Sequence, residues 1–314
     1  MELIKPSVEI ITEPDLFKRI ELAARTCYKS EDKIAPGSDM KLFKRLVASG
    51  HESTLEHSNI VVVCDVFACM QLRTALDDYE NAVGLPAYIR RDTMHDGVFS
   101  GNLRAWRSLC KICFNYPVLR HLFYLHPAFE DLHLEDYQPD ASMKEAGFAA
   151  VIAEPDPAFG DRHNIITARF ICDRGVSHEL VRHRCLSFSQ ESTRYVNYKD
   201  GAQFIEPWWL NEPIDDIDFC ESINKAAFDG SCSVSETFYK AMMVKGDATP
   251  QKARAVLNNA LKTEVVATGT IEMWKKLVLP LRLSQGAHPD IRRLMTLFRE
   301  QMNWIEFLKE DESR

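Results

Sequence analysis

Apolar positions recur along the chain first with a two-residue period, then with a helical one, and the alternation predicts strand, helix, helix, strand before the texture changes near residue 70. Ser7-Val8-Glu9-Ile10-Ile11 alternates as a short strand does. Thr12-Glu13-Pro14-Asp15 combines a hydroxyl, an early proline and acids, a start signal for a helix whose apolar stripe is Leu16, Ile20, Ala23, Ala24 and Cys27. A second helix from about Met40 buries Leu42, Phe43, Leu46 and Val47 and ends at Gly50. An apolar strand is expected over Ile60 to Val66. Residues 70–160 are rich in aromatics, leucine, acids and proline; helical spacing shows at Leu103–Cys113 and around Leu119–Leu125, and Glu130–Asp140 reads as an acidic loop. Regular signals resume with a strand over Ile165–Cys172, then a helix capped by Asp173 through Val176, Leu180 and Val181. A short strand or turn at Phe204-Ile205-Glu206-Pro207 precedes two helices, one spaced by Phe219, Ile223, Ala226 and Ala227 and another around Val234–Met243. Thr249-Pro250 opens a helix holding Arg254, Val256, Leu257 and Leu261, Leu261–Thr268 is β-branched enough for a strand, and Pro289 opens a final helix with Ile291, Leu294, Phe298 and Met302 inward. No internal repeat stands out. Ser100-Gly101-Asn102-Leu103-Arg104-Ala105-Trp106-Arg107 echoes Thr268-Gly269-Thr270-Ile271-Glu272-Met273-Trp274-Lys275 faintly, as chance or shared capping chemistry would.

The helix after Asp173 delivers the chain to Arg182-His183-Arg184-Cys185-Leu186-Ser187-Phe188-Ser189-Gln190-Glu191-Ser192-Thr193-Arg194-Tyr195. Lysine is absent and arginine dominates. Arginine offers a planar fork of donors suited to phosphate and carboxylate, and the hydroxyl and amide side chains add neutral donors and acceptors. The stretch reads as one wall of a pocket for a polyanionic ligand such as a nucleotide. If it is extended, Arg182 and Arg184 share one face, and so do Gln190, Ser192 and Arg194. The alternative is an arginine-rich loop tied to surface carboxylates.

Composition narrows the partners. The 314 residues are 46% hydrophobic and 27% charged, as expected of a soluble globular enzyme, and the formal net charge is −8. An acidic body is a poor general nucleic-acid binder, so the arginines point to a local site for a small anion. Nine cysteines follow no framework, and Cys110-Lys-Ile-Cys113 lacks a second pair or nearby histidines, so no metal site is assigned and free thiols in a reducing cytoplasm are expected. The N-terminus lacks a secretory apolar core, and no run approaches the ~18 apolar residues of a membrane span.

Arg-His-Arg-x-x-Ser followed by Ser-Gln-x-Ser-x-Arg-Tyr resembles the signature of flavin-dependent thymidylate synthases. Gly50-His51-Glu52-Ser53 through Glu56-His57 resembles that family's GHES-x-x-EH segment, and Ala253-Arg254-Ala255-Val256-Leu257, Leu281-Arg282 and Ala287-His288-Pro289 resemble its C-terminal nucleotide-binding part. The three segments occur in the family's order and cover about residues 7–66 and 164–305. The resemblance implies an α+β fold, with helices packed around a largely antiparallel or mixed sheet. It implies one catalytic domain over 1–314 with a large, mostly helical insertion at 70–160. It implies methylation of dUMP to dTMP with carbon from methylenetetrahydrofolate and reducing equivalents from NADPH through FAD, in a homotetramer. By matching position, Ser53, Glu56, Arg182, His183, Arg184 and Gln190 should meet FAD. Glu179, Arg182, Gln190, Glu191, Ser192 and Arg194 should line the dUMP site, with Arg254 reaching the phosphate from another subunit and Arg282 activating the uracil ring. Duller readings stand beside these: Arg254 pairing with Glu264 or another acid, Arg282 as a helix-end cation, His51 and His57 as satisfied core histidines. Cys185 occupies a variable position of the motif, and the family needs no protein nucleophile. Where the family has Asn, Arg and His or Asn before the activating arginine, this chain has Thr270, Glu272 and Lys276, and the step from Trp274 to Arg282 is one residue longer. Those departures leave a related pyrimidine-modifying flavoprotein, or a catalytically degenerate nucleotide-binding scaffold, as alternatives.

Overall fold

A computed structural model describes residues 1–91, 97–124, 126–132, 150–154, 156–211 and 219–304. Its strands are β1 Glu2–Ile4, β2 Ser7–Ile10, β3 Ile60–Cys64, β4 Arg90–Arg91, β5 Val98–Gly101, β6 Ala150–Ala153, β7 Ile165–Asp173, β8 Ser187–Gln190, β9 Gln203–Ile205 and β10 Lys262–Thr270. They form two four-stranded sheets, ordered β2-β7-β10-β8 and β4-β5-β3-β6, and a parallel pair β1-β9. Every neighbour in the larger sheets is antiparallel. The fold is α+β, as the resemblance implies.

β10 is the spine of the first sheet. All nine of its residues are buried, and Thr263, Val265, Val266, Thr268 and Thr270 supply the β-branched chemistry that suits a strand covered on both faces. Against this sheet pack the helices Arg174–Leu180 and Pro289–Trp304. Phe298 lies 4.5 Å from the Trp274 ring and 5.4 Å from that of Phe170, a buried aromatic cluster. Helices α1 Leu16–Tyr28 and α2 Ser38–Ala48 bury Ile20, Ala24, Phe43 and Leu46, as their spacing predicts. Asp15, rather than Thr12, caps α1, accepting from the amides of Phe17 and Lys18. Within 70–160 the described chain is mostly helical, with α3 (Val66–Val83), α4 (Leu103–Ile112) and α5 (Pro117–Phe123). It also adds β4, β5 and β6 to the second sheet, strands too short for their periodicity to register. The acidic segment Glu130–Asp140 lies largely outside the described residues.

Two local expectations change. The two helices after residue 219 are one, Phe219–Val244. Gly230 costs about 1 kcal/mol of helix propensity, but packing overrides it: Cys232 and Tyr239 are buried, Ser235 Oγ donates to Val256 O at 2.9 Å, and Glu236 Oε1 accepts from Ala202 N. The helix begun at Pro250 lasts only to Ala253 and tightens into a 3₁₀ turn at Arg254–Val256, leaving Leu261 outside it. The octapeptide echo follows its second reading, shared capping chemistry. Both copies end a strand, cap a helix through Asn102 or Thr270, and bury a tryptophan.

Candidate functional site

The helix Arg174–Leu180 starts where β7 ends, because Asp173 accepts from Val176 N at 2.8 Å. It stops at Leu180, and Val181–Cys185 is a sequence of turns in which His183 N donates to Leu180 O and Leu186 N to His183 O. The arginine-rich motif is therefore extended only over β8, and a further turn at Thr193–Tyr195, closed by Tyr195 N on Ser192 O, breaks the alternation expected for Gln190, Ser192 and Arg194.

The turns do what an extended strand could not: they bring His183 back over the helix to Arg282. Arg282 Nε donates to His183 Nε2 at 2.8 Å, Nη1 to Glu179 Oε2 at 2.7 Å and Nη2 to the Glu179 carbonyl at 2.8 Å. A guanidinium only donates, so His183 Nε2 accepts and the ring proton sits on Nδ1. Burial and the Arg282 charge both lower the His183 pKa, keeping the imidazole neutral. Glu179 also borders a cavity of about 290 Å³, lined with it by Asp173, Val176, Ile205, Phe228 and His288.

Arg282 reaches this position through an unusual helix. Trp274–Val278 is a π-helical segment, with Leu279 N bonding Trp274 O. Such a turn absorbs one extra residue without breaking the helix, and the Trp274-to-Arg282 step is the one that runs a residue long. Thr270 is spent as the cap, its Oγ1 accepting from Met273 N, and Glu272 is paired with Lys276 at 2.8 Å.

The Gly50–His57 segment arrives from the other side as a 3₁₀ turn, Glu52–His57. Glu56 Oε2 accepts from Ser187 Oγ at 2.9 Å, joining this turn to the start of β8. Ser53 is exposed beside it. His57 is fully buried, its Nδ1 2.8 Å from Thr268 Oγ1 and its Nε2 3.0 Å from Ser189 Oγ. Burial, with a smaller contribution from Arg19, pushes its pKa down to about 3. It is a satisfied core histidine; His51 is exposed.

Gln190 donates to Ser177 Oγ and Thr263 Oγ1, tying β8 to the Arg174–Leu180 helix and to β10. Glu191 is turned inward: Tyr198 Oη donates to its Oε1 at 2.6 Å and Lys262 Nζ to its Oε2 at 3.0 Å. Lys262 continues to Glu264, which also receives Lys29 at 2.7 Å. Burial raises the Glu264 pKa, but the hydrogen bonds from Lys262 and Lys29 outweigh it and hold the carboxyl below its ordinary value. This chain of buried charges, with the Arg174 guanidinium bonded to the Glu191 carbonyl, was not singled out from the motifs. Its signal lay in Lys262 and Glu264, two charges on one face of an otherwise uncharged strand. Ser192 N donates to Cys27 O; Arg194 is exposed, 3.4 Å from Gln251 Oε1 and 5.3 Å over the Tyr195 ring. Arg182, Arg184 and Arg254 are exposed and, among the described residues, their side chains make no hydrogen bond or ion pair. Arg254 does not pair with Glu264, which Lys29 and Lys262 hold through Oε1. Cys185 is half-buried with its thiol pKa raised by burial, unlike an activated nucleophile.

A neutral histidine, a carboxylate and a guanidinium thus meet at the end of one helix, flanked by unpaired arginines. With this geometry in place, the family model described as thymidylate synthase complementing protein matches residues 9–74 and 162–305, and the chain belongs to that family. Among curated relatives, a flavin-dependent thymidylate synthase of Mycobacterium tuberculosis is 35% identical over 130 residues, 38% of this chain and 50% of the relative. One from Mycobacterium avium is 34% identical over 131 residues with the same coverage. The chain spans about half the length of the curated relatives it matches. A solved structure of a UMP/dUMP methylase, PolB from Streptomyces cacaoi bound with 5-Br UMP, aligns over 96% of this chain and 91% of its own at 14% identity, with a TM-score of 0.42.

Proposed function

We propose that the protein is a flavin-dependent thymidylate synthase, a methyltransferase that converts dUMP to dTMP with carbon from methylenetetrahydrofolate and reducing equivalents from NADPH through FAD. The observation that carries this reading is the Arg282–Glu179–His183 cluster set beside unpaired Arg182 and Arg184, in a chain of this family. The donor set fits a flavin dinucleotide, because free guanidinium forks match pyrophosphate oxygens in a way an acidic body otherwise would not. Arg182, His183 and Arg184, with Ser53, Glu56 and Gln190, would hold it, and flavin would supply the redox chemistry there.

The chain's own residues divide the remaining work. Arg282 uses three of its N–H donors on Glu179 and His183, which fix its plane; the others remain for the uracil ring. Beside N3 and the adjacent carbonyl, that fixed cation stabilises negative charge developing in the pyrimidine as it reacts. Arg194 and Ser192 border the dUMP site, and Arg254 reaches the phosphate from a second subunit. Glu191 acts at that site from within, through the turn it anchors with Tyr198 and Lys262. Pairing of Glu272 with Lys276 offsets the negative charge that separates this chain from the family pattern, which favours the synthase over an altered flavoprotein or a degenerate scaffold.

We read the chain as one catalytic unit with residues 70–160 inserted, acting as a cytoplasmic homotetramer without nucleic-acid partners. In support, the Phe219–Val244 helix leaves Ile223, Val234 and Phe238 at least half exposed, and the turn carrying Arg254 is pinned to it by Ser235. A copy docked on that face would bring Arg254 to a neighbouring site. Reconstitution with FAD tests the reading: the protein should take on the oxidised-flavin spectrum, and dUMP should perturb it. Failure to bind either flavin or dUMP contradicts the proposal.

A further inference from the structure

The octapeptide echo extends to a whole unit. The sheet β2-β7-β10-β8 and the sheet β6-β3-β5-β4 have the same antiparallel order, with β7 answering β3 and β10 answering β5. Registers agree: Ile166 faces Gly269 as Ile60 faces Gly101. Trp274 Nε1 donates to Ile166 O at 3.2 Å, and Trp106 Nε1 donates to Ile60 O at 3.2 Å. Each first strand leads to an aspartate cap, Asp173 on Val176 N and Asp65 on Ala68 N. Each second strand leads to another cap, Thr270 on Met273 N and Asn102 on Ala105 N. The two units also grip each other reciprocally. His57 Nδ1 meets Thr268 Oγ1 at 2.8 Å across the boundary, and His163 Nδ1 meets Ser100 Oγ at 2.8 Å in return. Counting from those tryptophans and strands, His57 answers His163 and Thr268 answers Ser100. Such an exchange of equivalent contacts marks a self-complementary interface, here within one chain.

Among its described residues the first unit does not carry the chemistry at the matching positions. Counting from the aspartate caps, Thr74, Ala75 and Leu76 stand where Arg182, His183 and Arg184 stand; counting from the tryptophans, Cys113–Phe114 falls where Arg282 falls. Its helix α3 does not break but runs on to Val83. What this unit retains is a hold on the Glu52–His57 turn. Leu103 N donates to Ser58 Oγ at 2.9 Å, Arg104 Nη1 to Glu56 Oε1 at 2.5 Å and Lys111 Nζ to Glu52 Oε1 at 2.8 Å. Glu56 is thereby held from both sides, by Arg104 of the first unit and Ser187 of the second.

We infer that the described residues of 57–153 are a second copy of the site-bearing unit without its arginine–histidine set, and that its helix α4 is a clamp setting the Glu52–His57 turn against β8. Arg104 is a positioning residue in this scheme, acting through Glu56. The inference rests on the flavin reading only for its ligand consequence. Hydrogen exchange of the flavin-free protein, paired with flavin titration, tests it in Arg104→Ala and Arg104→Lys. Solvent-facing ion pairs contribute little to global stability, so the melting temperature of Arg104→Ala should hold. Amides of residues 50–58 should exchange faster, and the flavin dissociation constant should rise about fivefold, the factor that ~1 kcal/mol carries. Arg104→Lys should recover most of both. Unchanged exchange at 50–58 overturns the clamp whatever the flavin does, and a flavin affinity unchanged in Arg104→Ala overturns the positioning role. Faster exchange throughout, with a collapsed melting temperature, also overturns it. Wild-type protein that takes up no flavin contradicts the functional reading instead, and the exchange measurement still decides the clamp.

Discussion

At the scale of single residues, Arg282 bears the most weight. Its three internal hydrogen bonds fix its orientation before any substrate arrives, and a preorganised cation needs no rearrangement as charge develops. Arg282→Ala should lower kcat by about two to three orders of magnitude, the usual cost of losing such a donor, while flavin absorbance stays with the protein. Near-normal turnover would contradict the assignment. The same substitution removes one of the two causes that depress His183, so the imidazole pKa followed by NMR should rise toward its ordinary value. His57 makes a separate, pH-dependent contribution. Its folded pKa of about 3 lies below the unfolded value, so the unfolded chain binds the extra proton. Stability from this group is complete above about pH 6.5 and declines on acidification toward pH 3. The melting temperature should fall across that window in the wild type and fall less steeply in His57→Gln; parallel curves would rule the contribution out. These residues were legible in sequence to different depths. The motifs gave His183 at the family spacing and Arg282 one residue late. That Glu191 points inward to Lys262 rather than toward a ligand depends on the turn after β8, which no periodicity announces.

At the scale of elements, the long periodic segments were readable: α1, α2, β7, β10 and the Pro289–Trp304 helix stand where spacing and caps put them, within a few residues. The failures share a cause, tertiary contact overriding local propensity. Gly230 does not divide its helix, because buried Cys232 and Tyr239 hold both halves in line. Turns at Val181–Cys185 interrupt a motif whose composition suits a strand. The π-helical turn at Trp274–Val278 reconciles the one extra residue with a correctly placed arginine, and only the spacing hinted at it. Gly269 is needed where the strand β10 passes the motif. A Cβ there would lie 2.2 Å from Leu186 Cδ2, so Leu186, one residue before β8, would have to move. Gly269→Ala should therefore destabilise by about 1–3 kcal/mol, in the range of overpacked cores, measured as a lower denaturation midpoint. An unchanged midpoint would show that the strand tolerates the shift.

At the scale of the whole molecule, an acidic body carries a small set of exposed arginines, and the second sheet repeats the first without its chemistry. Sequence revealed residues 70–160 as different in texture but not as a copy, because the copy keeps caps, a tryptophan and a strand order while replacing the residues a motif search would follow. The 26-residue helix Phe219–Val244 presents Val234, Phe238 and Ile223 to solvent, an apolar face of the kind that marks association. Val234→Glu with Phe238→Glu should shift the light-scattering mass from that of a tetramer toward a smaller species; a wild-type monomer would contradict the proposed assembly. Among the described residues no helix is long and apolar enough to cross a membrane. The central claim is tested most directly by incubating the FAD-loaded protein with dUMP, methylenetetrahydrofolate and NADPH and measuring dTMP. The account predicts dTMP formation that requires all three and falls by about two to three orders of magnitude in Arg282→Ala; flavin-loaded protein that forms no dTMP would contradict it.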